Sequence, residues 1–294
     1  FMGADYLVLG DQAQHLETTV AVDRGIQVTN VRIETSHFPL SGTKGELNGI
    51  INGRDGILGG FIDSLDEFTA NFINQFNQIH SQGEGLQGFT SVTGTYAVTD
   101  VNQPLNSAGL TFPPQHGSFQ IKVRDKQTGL LTTQTIQVDL DGIDPTNDTS
   151  LDDLRTALNG VGNVSASITA DGKLKIEAAD GYEISFANDS SHVLSGLGIN
   201  TFFTGTDSSN ISVNSVVSGN PNLFATGKGG GPADGSNVLE LAQFYDEGVS
   251  DLGGLSLNQF YLNTVSTVAQ ESASEQAISD GYTAFRDSLG SQKS

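Results

Sequence analysis

The sequence predicts an α+β protein: an elongated antiparallel helical bundle with short strands, interrupted by a small mixed α/β insertion domain. Apolar residues recur at helical spacing over 45–80 and again over 256–289. Between these stretches, from about residue 90 to 207, apolar and polar residues alternate with the period of two that half-buried strands show. We therefore predict a helical core in two halves, 1–92 and 208–294, with the insertion domain at 93–207.

The first long helix is predicted over 45–80, after short strands at 6–9 and 26–33. Its apolar stripe has a seven-residue repeat with further apolar residues at the neighbouring helical positions. The residues expected to pack are Ile51, Leu58, Phe61, Leu65, Phe68, Phe72 and Ile79. Glycines at 49, 53, 56, 59 and 60 each weaken the first half by about 1 kcal/mol relative to alanine. We therefore expect a kink, or a helix that begins near Phe61.

The second long helix is predicted from Ser256 to about residue 289. Ser256 and Gln259 have the spacing of a capping box, in which each side chain accepts from the other residue's backbone amide. Tyr261, Val265 and Val268 follow at helical spacing. We expect this stripe to pack against the first long helix, since no other predicted helix is long enough. A shorter helix is predicted over 237–244.

The middle of the chain predicts strands on either side of one helix. The alternating apolar sets are Phe119, Ile121 and Val123; Ile136, Val138 and Leu140; Val164, Ala166 and Ile168; Leu174 and Ile176; and Ile184 and Phe186. A capping box at Ser150 and Asp153 begins the helix between the second and third sets. This order predicts a small α+β domain.

Composition excludes several classes of function. The 294 residues include 34 acidic and 13 basic ones, and a net charge of -21 argues against nucleic acid and anionic membrane surfaces as partners. Cysteine is absent from the sequence, which excludes disulfides and thiolate metal sites. No apolar run approaches the roughly 20 residues that span a bilayer.

The sequence offers no motif for catalysis or for a cofactor. The five histidines have none of the i, i+3 or i, i+4 spacings of zinc sites. The acidic run 139–144 departs from the calcium-loop template after two ligand positions, and the glycine-rich run 227–231 lacks the hydroxyl residue of a phosphate loop. We therefore predict no enzyme activity, no cofactor and no metal ligand.

Two separated motifs carry a family resemblance. The first consists of the run Gly45-Glu46-Leu47-Asn48-Gly49-Ile50-Ile51-Asn52-Gly53-Arg54-Asp55 with Asn77, His80, Gly83 and Leu86-Gln87-Gly88. The second consists of Ile211-Ser212-Val213-Asn214, Asn220-Pro221, Gly235-Ser236-Asn237 and Ser256-Leu257-Asn258-Gln259. Both resemble the bacterial flagellar hook-associated protein 1 family, the hook-filament junction proteins. Residues 117–198 more loosely resemble the small motif inserted into flagellins and hook-associated proteins.

The resemblance implies a non-enzymatic, secreted subunit of the bacterial flagellum that joins hook to filament and is required for filament assembly and motility. It implies a homo-oligomeric ring, with hook protein, the next hook-associated protein and an export chaperone as partners. The family's terminal coiled-coil segments are missing from this sequence, so we expect it to be a core fragment. Two alternatives are an adhesin or carbohydrate-binding module on a helical stalk, and a flagellin-like filament subunit. A filament-embedded hydrolase is disfavoured by the absence of catalytic motifs.

Overall fold

The computed structural model describes residues 8–9, 11–39, 46–143, 147–231 and 233–292. These residues contain both helices and antiparallel sheets, as expected for an α+β protein. They divide into two compact units, one from 1–66 and 261–294 and the other from 67–260. The predicted domain boundaries at 92/93 and 207/208 fall inside the second unit, and a β domain that folds by itself stays a prediction. Gly45 and Asp144 lie outside the described residues.

The elements follow one another in the predicted order. The helices are α1 Glu46–Asn52, α2 Gly59–Ser81, α3 Leu151–Asn159, α4 Val193–Leu197, α5 Ser215–Gly219, α6 Ser236–Gln243 and α7 Leu257–Gln292. The strands are β1 Val8–Leu9, β2 Gln12–Ala13, β3 Leu16–Asp23, β4 Ile26–Ile33, β5 Ser91–Thr93, β6 Gly117–Asp125, β7 Leu131–Val138, β8 Val164–Ile168, β9 Leu174–Ala178, β10 Tyr182–Ala187, β11 Phe203–Thr204 and β12 Ser212–Val213.

In the first unit, the hairpin β3–β4 is held to the helical segment by two arginines. Arg24 and Gly25 form the two-residue turn with positive φ angles of 50° and 74°, the backbone that a type I′ turn requires. The Arg24 guanidinium donates to both carboxylate oxygens of Asp63 in α2, at 2.7 and 2.8 Å. Arg54 donates to the Thr29 carbonyl oxygen of β4 at 2.6 Å. The hairpin is therefore positioned by charge-assisted hydrogen bonds.

The first long helix begins at Glu46 and not near Phe61, and a π-helical turn interrupts it in the glycine-rich half. Between α1 and α2, residues Gly53–Leu58 form a π-helical turn, and the helical segment continues through it to Ser81. A π turn arises where the ordinary i to i−4 ladder gains a residue. Because this stretch includes Gly53 and Gly56, the cost of departing from the α-helical ladder is low.

The second unit contains the predicted strands and the helix between them. Two three-stranded antiparallel sheets have the orders β10-β6-β7 and β5-β9-β8. Phe89 and Ile184 exchange backbone hydrogen bonds of 2.8 Å, so the chain that enters β5 also contacts β10. Leu140, assigned to the second alternating set, lies beyond the end of β7 but is buried. The alternating apolar sets therefore identify the strands, because the apolar face of each strand is packed against the core.

The core of this β-rich part lies between the sheets and α3. Its most deeply buried members include Phe119, Ile121, Val138, Leu151, Leu154, Leu158, Leu174, Ile176, Ile184 and Phe186. Phe89 and Leu223 belong to the same cluster although they lie outside 93–207. Both predicted capping boxes are present, at Ser150 with Asp153 and at Ser256 with Gln259. Each satisfies two backbone amides at the beginning of a helix.

Truncation of Ile176 tests this core. Ile176 is fully buried in β9, so Ile176→Ala should lower the free energy of unfolding by about 2 to 5 kcal/mol. Leu130→Ala is the matched control, because the Leu130 side chain is 69% exposed. Urea denaturation measures both variants. Equal midpoints for the two variants would contradict the assignment of Ile176 to the core.

Candidate functional site

The predicted packing residues occupy different surroundings. Phe68, Phe72 and Ile79 belong to an apolar cluster around Phe244, Val249, Leu252 and Leu257. Ile51, Phe61, Leu65 and Val268 are half-buried, whereas Leu58, Tyr261 and Val265 are 58%, 45% and 44% exposed. The structure thus brings the second half of α2 together with the segment that leads into α7. Pairing along the rest of α7 stays a prediction.

Contacts between aromatic rings extend this cluster around the end of α2. Phe76 contacts Phe203 at a centroid separation of 4.9 Å and Phe202 at 5.3 Å. Phe72 and Phe244 are 5.8 Å apart. Edge-to-face and tilted contacts at these separations are favourable beyond the area they bury. The aromatic cluster therefore joins α2 to the chain that leaves the β-rich part and to the end of α6.

His80 lies at the end of α2, fully buried, and connects two distant segments. Its Nδ1 is 2.8 Å from the Asn200 carbonyl oxygen, and its Nε2 accepts a 3.1 Å hydrogen bond from the Ala225 amide. These partners require a neutral ring with the proton on Nδ1. Burial lowers the pKa of His80 from 6.5 to about 4, with the Asn200 hydrogen bond opposing the shift. The imidazole is therefore a structural bridge with both nitrogens engaged.

Two asparagines make further hydrogen bonds close to His80. Asn77 Oδ1 accepts from the backbone amides of Phe202 and Phe203, each at 3.0 Å, and its Nδ2 donates to the Phe203 carbonyl at 2.9 Å. Asn200 Nδ2 donates to the carbonyls of Ser81 and Gly83, both at 2.9 Å. The end of α2 and residues 200–203 are thus joined by side-chain amides that replace backbone pairing.

Asn237 completes a group that we call the clasp: Asn77, His80, Asn200 and Asn237. Asn237, fully buried at the beginning of α6, donates from Nδ2 to the Ala225 carbonyl at 2.8 Å. Gly83 permits its approach, because a Cβ on Gly83 would overlap Asn237 Nδ2. The clasp joins the segments through which the chain enters the β-rich part, leaves it and returns to the helices. Three of its members, all but Asn200, are motif residues quoted for the family resemblance.

The glycine-rich run 227–231 donates backbone hydrogen bonds to a carboxylate that follows it in the sequence, that of Asp234. The Asp234 carboxylate accepts hydrogen bonds from the amides of Lys228, Gly230 and Ser236, at 2.7 to 2.9 Å. These donors hold the pKa of Asp234 well below its usual range. Amides that a phosphate would require are therefore already occupied, in agreement with the sequence interpretation that this run is not a phosphate loop.

One cluster was not anticipated from the sequence. His116, Asp139 and Asp141 each place a possible metal-ligating atom within 4.8 Å of the others. Helical spacing could not have found them, because His116 precedes β6 and Asp139 follows β7, and the pairing of these strands brings them together. The signal available in the sequence was an acidic run after a predicted strand. Among the described helices, none is both long and apolar enough to cross a membrane.

The fold and the clasp define an α+β protein whose polar centre serves to hold segments together. Residues 1–95 match the family model described as flagellar hook-associated protein FlgK helical domain. The match covers α1, α2 and the entry into the β-rich part, and it supports a FlgK-like protein with a structural role in the flagellar hook region. That family is structural and not enzymatic, and it forms part of the exported bacterial flagellum. No curated protein sequence matches the chain.

The pH dependence of stability tests the His80 bridge. The pKa of His80 is lowered on folding, so its stabilising effect is complete above pH 6.5 and is lost as the pH falls towards 4. Between pH 6.5 and 4 the imidazole is protonated in the unfolded chain but not in the folded chain. The free energy of unfolding therefore falls by about 1.4 kcal/mol per pH unit.

His80→Gln should therefore flatten the loss of unfolding free energy between pH 6.5 and 4, relative to the unsubstituted chain. The control is His15→Gln, because His15 is exposed in the turn between β2 and β3. Urea denaturation at successive pH values measures the slopes. If the slope of His80→Gln equals that of the control, His80 is not buried in its neutral form.

Substitution of Gly83 tests the close approach in the clasp. Gly83→Ala places a methyl group against Asn237 Nδ2 and 3.0 Å from the Gly227 carbonyl oxygen, so a loss of about 1 to 3 kcal/mol is expected. Gly60→Ala is the control, because a Cβ there meets no atom within 4 Å and alanine favours a helix by about 1 kcal/mol. Thermal unfolding should shift in opposite directions for the two variants; a shared direction would contradict the packing around Gly83.

Proposed function

We propose that the chain is a structural subunit of the bacterial flagellum that joins hook to filament and is required for filament assembly and motility. The observation that carries this proposal is the match of residues 1–95 to the flagellar hook-associated FlgK helical domain. The clasp adds support from outside that range, since Asn200 and Asn237 contact the end of α2 and the returning segment. The residues that resemble the family are therefore connected in space.

The packing and hydrogen bonding of the second unit suit a protein that must resist deformation. Its aromatic cluster and clasp hold three chain segments without any charged side chain in the clasp itself. Hydrogen bonds between amides and backbone groups have defined directions, so they resist sliding as well as separation. Such a connection would keep the β-rich part in a fixed orientation relative to the end of α2.

We extend the proposal to assembly. The intact subunit forms a homo-oligomeric ring outside the cell, contacts hook protein on one side and the next hook-associated protein on the other, and reaches its position through the flagellar export channel with an export chaperone. Within the chain, the stripe of 45–80 pairs with that of 256–289 as an antiparallel bundle. The support is a 3.5 Å hydrogen bond from Asn52 Nδ2 in α1 to Glu275 Oε1 in α7. Tyr261 and Val265, which are exposed, would be covered when the pairing extends along α7.

The alternative functions receive less support. A carbohydrate-binding module would present aromatic side chains on its surface, yet Phe119 and Phe186 are buried and Tyr96 donates its hydroxyl to the Gly205 carbonyl at 2.7 Å. A flagellin-like filament subunit would share the flagellar location, but the matching family model describes a hook-associated protein. The hook-associated role is therefore preferred.

Complementation tests the proposed function. The full protein that contains this sequence, produced in a flagellated strain that lacks its own FlgK, should restore filaments, scored by electron microscopy and by swimming. Asn77→Ala should reduce the number of attached filaments because it removes three hydrogen bonds of the clasp. Asn71→Ala is the control from the same helix, because the Asn71 amide bonds only locally, to the Glu67 carbonyl.

Export is measured in parallel from the culture medium. Protein that is exported in normal amounts while no cell gains a filament would overturn the proposed junction role. Equal filament numbers for Asn77→Ala and Asn71→Ala would show that the clasp is dispensable for the junction even if the role is right.

A further inference from the structure

The strands β6 and β7 place three possible metal ligands at one end of their sheet. Gly117 pairs with Val138, so His116 and Asp139 are neighbours just beyond the paired residues. The distance from His116 Nδ1 to Asp139 Oδ1 is 3.1 Å. Asp141, two residues further on, places a carboxylate oxygen within 4.8 Å of both.

The backbone that carries two of these side chains is fixed by neighbouring segments. The Gln115 amide donates to the Ser191 carbonyl at 2.9 Å, next to His116. Asp139 donates from its amide to Thr149 Oγ1 at 2.8 Å and accepts from the Thr149 amide at 2.7 Å. His116 and Asp139 are thus held in position by the fold, and little ordering remains to oppose binding of an ion.

The imidazole lies close enough to Asp139 for both side chains to bind one cation. His116 Nδ1 and Asp139 Oδ1 are 3.1 Å apart, and the Leu140 amide lies 3.3 Å from the same nitrogen. Because Nδ1 has one lone pair, a metal ion bound there would replace the long hydrogen bond from the Leu140 amide. Metal bonds of about 2.0 to 2.2 Å suit two ligands at this separation.

The surrounding charge favours a metal ion. The sequence has no lysine or arginine from 127 to 154, a stretch with six aspartates between 139 and 153. The Ile143 amide donates to Asp141 Oδ1 at 2.9 Å, which orients this carboxylate and leaves its second oxygen available to a ligand. The field of these carboxylates raises the local concentration of cations.

We propose that His116, Asp139 and Asp141 bind one divalent transition-metal ion of the zinc class. Imidazole nitrogen with two carboxylates suits zinc better than magnesium or calcium, which prefer oxygen ligands. Three protein ligands leave the remaining coordination positions to water. The ion would tie the segment that follows β7 to the beginning of β6. This site does not depend on the proposed flagellar function.

Calorimetric titration of the complete metal-free chain with ZnCl₂ tests the site. We expect one binding event, and affinities for Mg²⁺ and Ca²⁺ at least about tenfold weaker than for Zn²⁺. His116→Gln and Asp139→Asn should each weaken Zn²⁺ binding at least about tenfold. Their side chains are 58% and 49% exposed, so both variants should fold, which unfolding curves without metal will check.

Controls distinguish this site from general attraction of cations to an acidic chain. His15→Gln and Asp180→Asn alter an exposed histidine and an exposed aspartate elsewhere, and both should leave Zn²⁺ affinity unchanged. Zn²⁺ binding that persists undiminished in His116→Gln would overturn the proposal. So would an absence of binding at millimolar Zn²⁺.

Discussion

A neutral imidazole between two backbone groups is the interaction on which the second unit depends. His80 occupies the end of α2, and its nitrogens contact a carbonyl 120 residues away and an amide 145 residues away in sequence. A loop closed over such distances costs considerable chain entropy. Aromatic stacking around Phe76 supplies apolar contact, while the imidazole and the asparagines determine which backbone groups meet. Packing alone would hold these segments together without fixing their alignment.

The choice of uncharged groups for this centre agrees with the composition. Burial of an ion costs several kcal/mol unless it is fully paired, whereas an amide side chain can satisfy backbone donors and acceptors at lower cost. The acidic charge of the chain therefore belongs on its surface, and the clasp uses asparagine and neutral histidine. Lys122 and Glu84, which form a 3.2 Å ion pair with side chains 10% and 11% exposed, are an exception, and Ser185 donates to the second Glu84 oxygen.

Local patterns in the sequence predicted local structure well. The alternation at Phe119, Ile121 and Val123 identifies β6, and the serines at 150 and 256 begin their helices as expected, because both signals act within a few residues. The sequence indicated the clasp residues only through the family resemblance. No pattern near His80 in the sequence identifies Asn200 or Ala225 as its hydrogen-bond partners. The cluster at His116 and Asp139 required the register of β6 with β7. In a hairpin such as β6–β7 the register depends on the turn that joins the strands, and the alternation within each strand does not give it alone.

The π turn between α1 and α2 changes the meaning of the seven-residue repeat. A π-helical turn winds less per residue than an α-helix, so positions separated by seven residues across it no longer lie on one line. Ile51 and Leu65 are half-buried, while Leu58, midway between them in the repeat, is 58% exposed. The repeat is therefore interrupted at Leu58, the last residue of the π turn. A helix that packs on Ile51 and Leu65 would leave Leu58 uncovered, so the seven-residue spacing in the sequence overstates the length of a continuous packing surface.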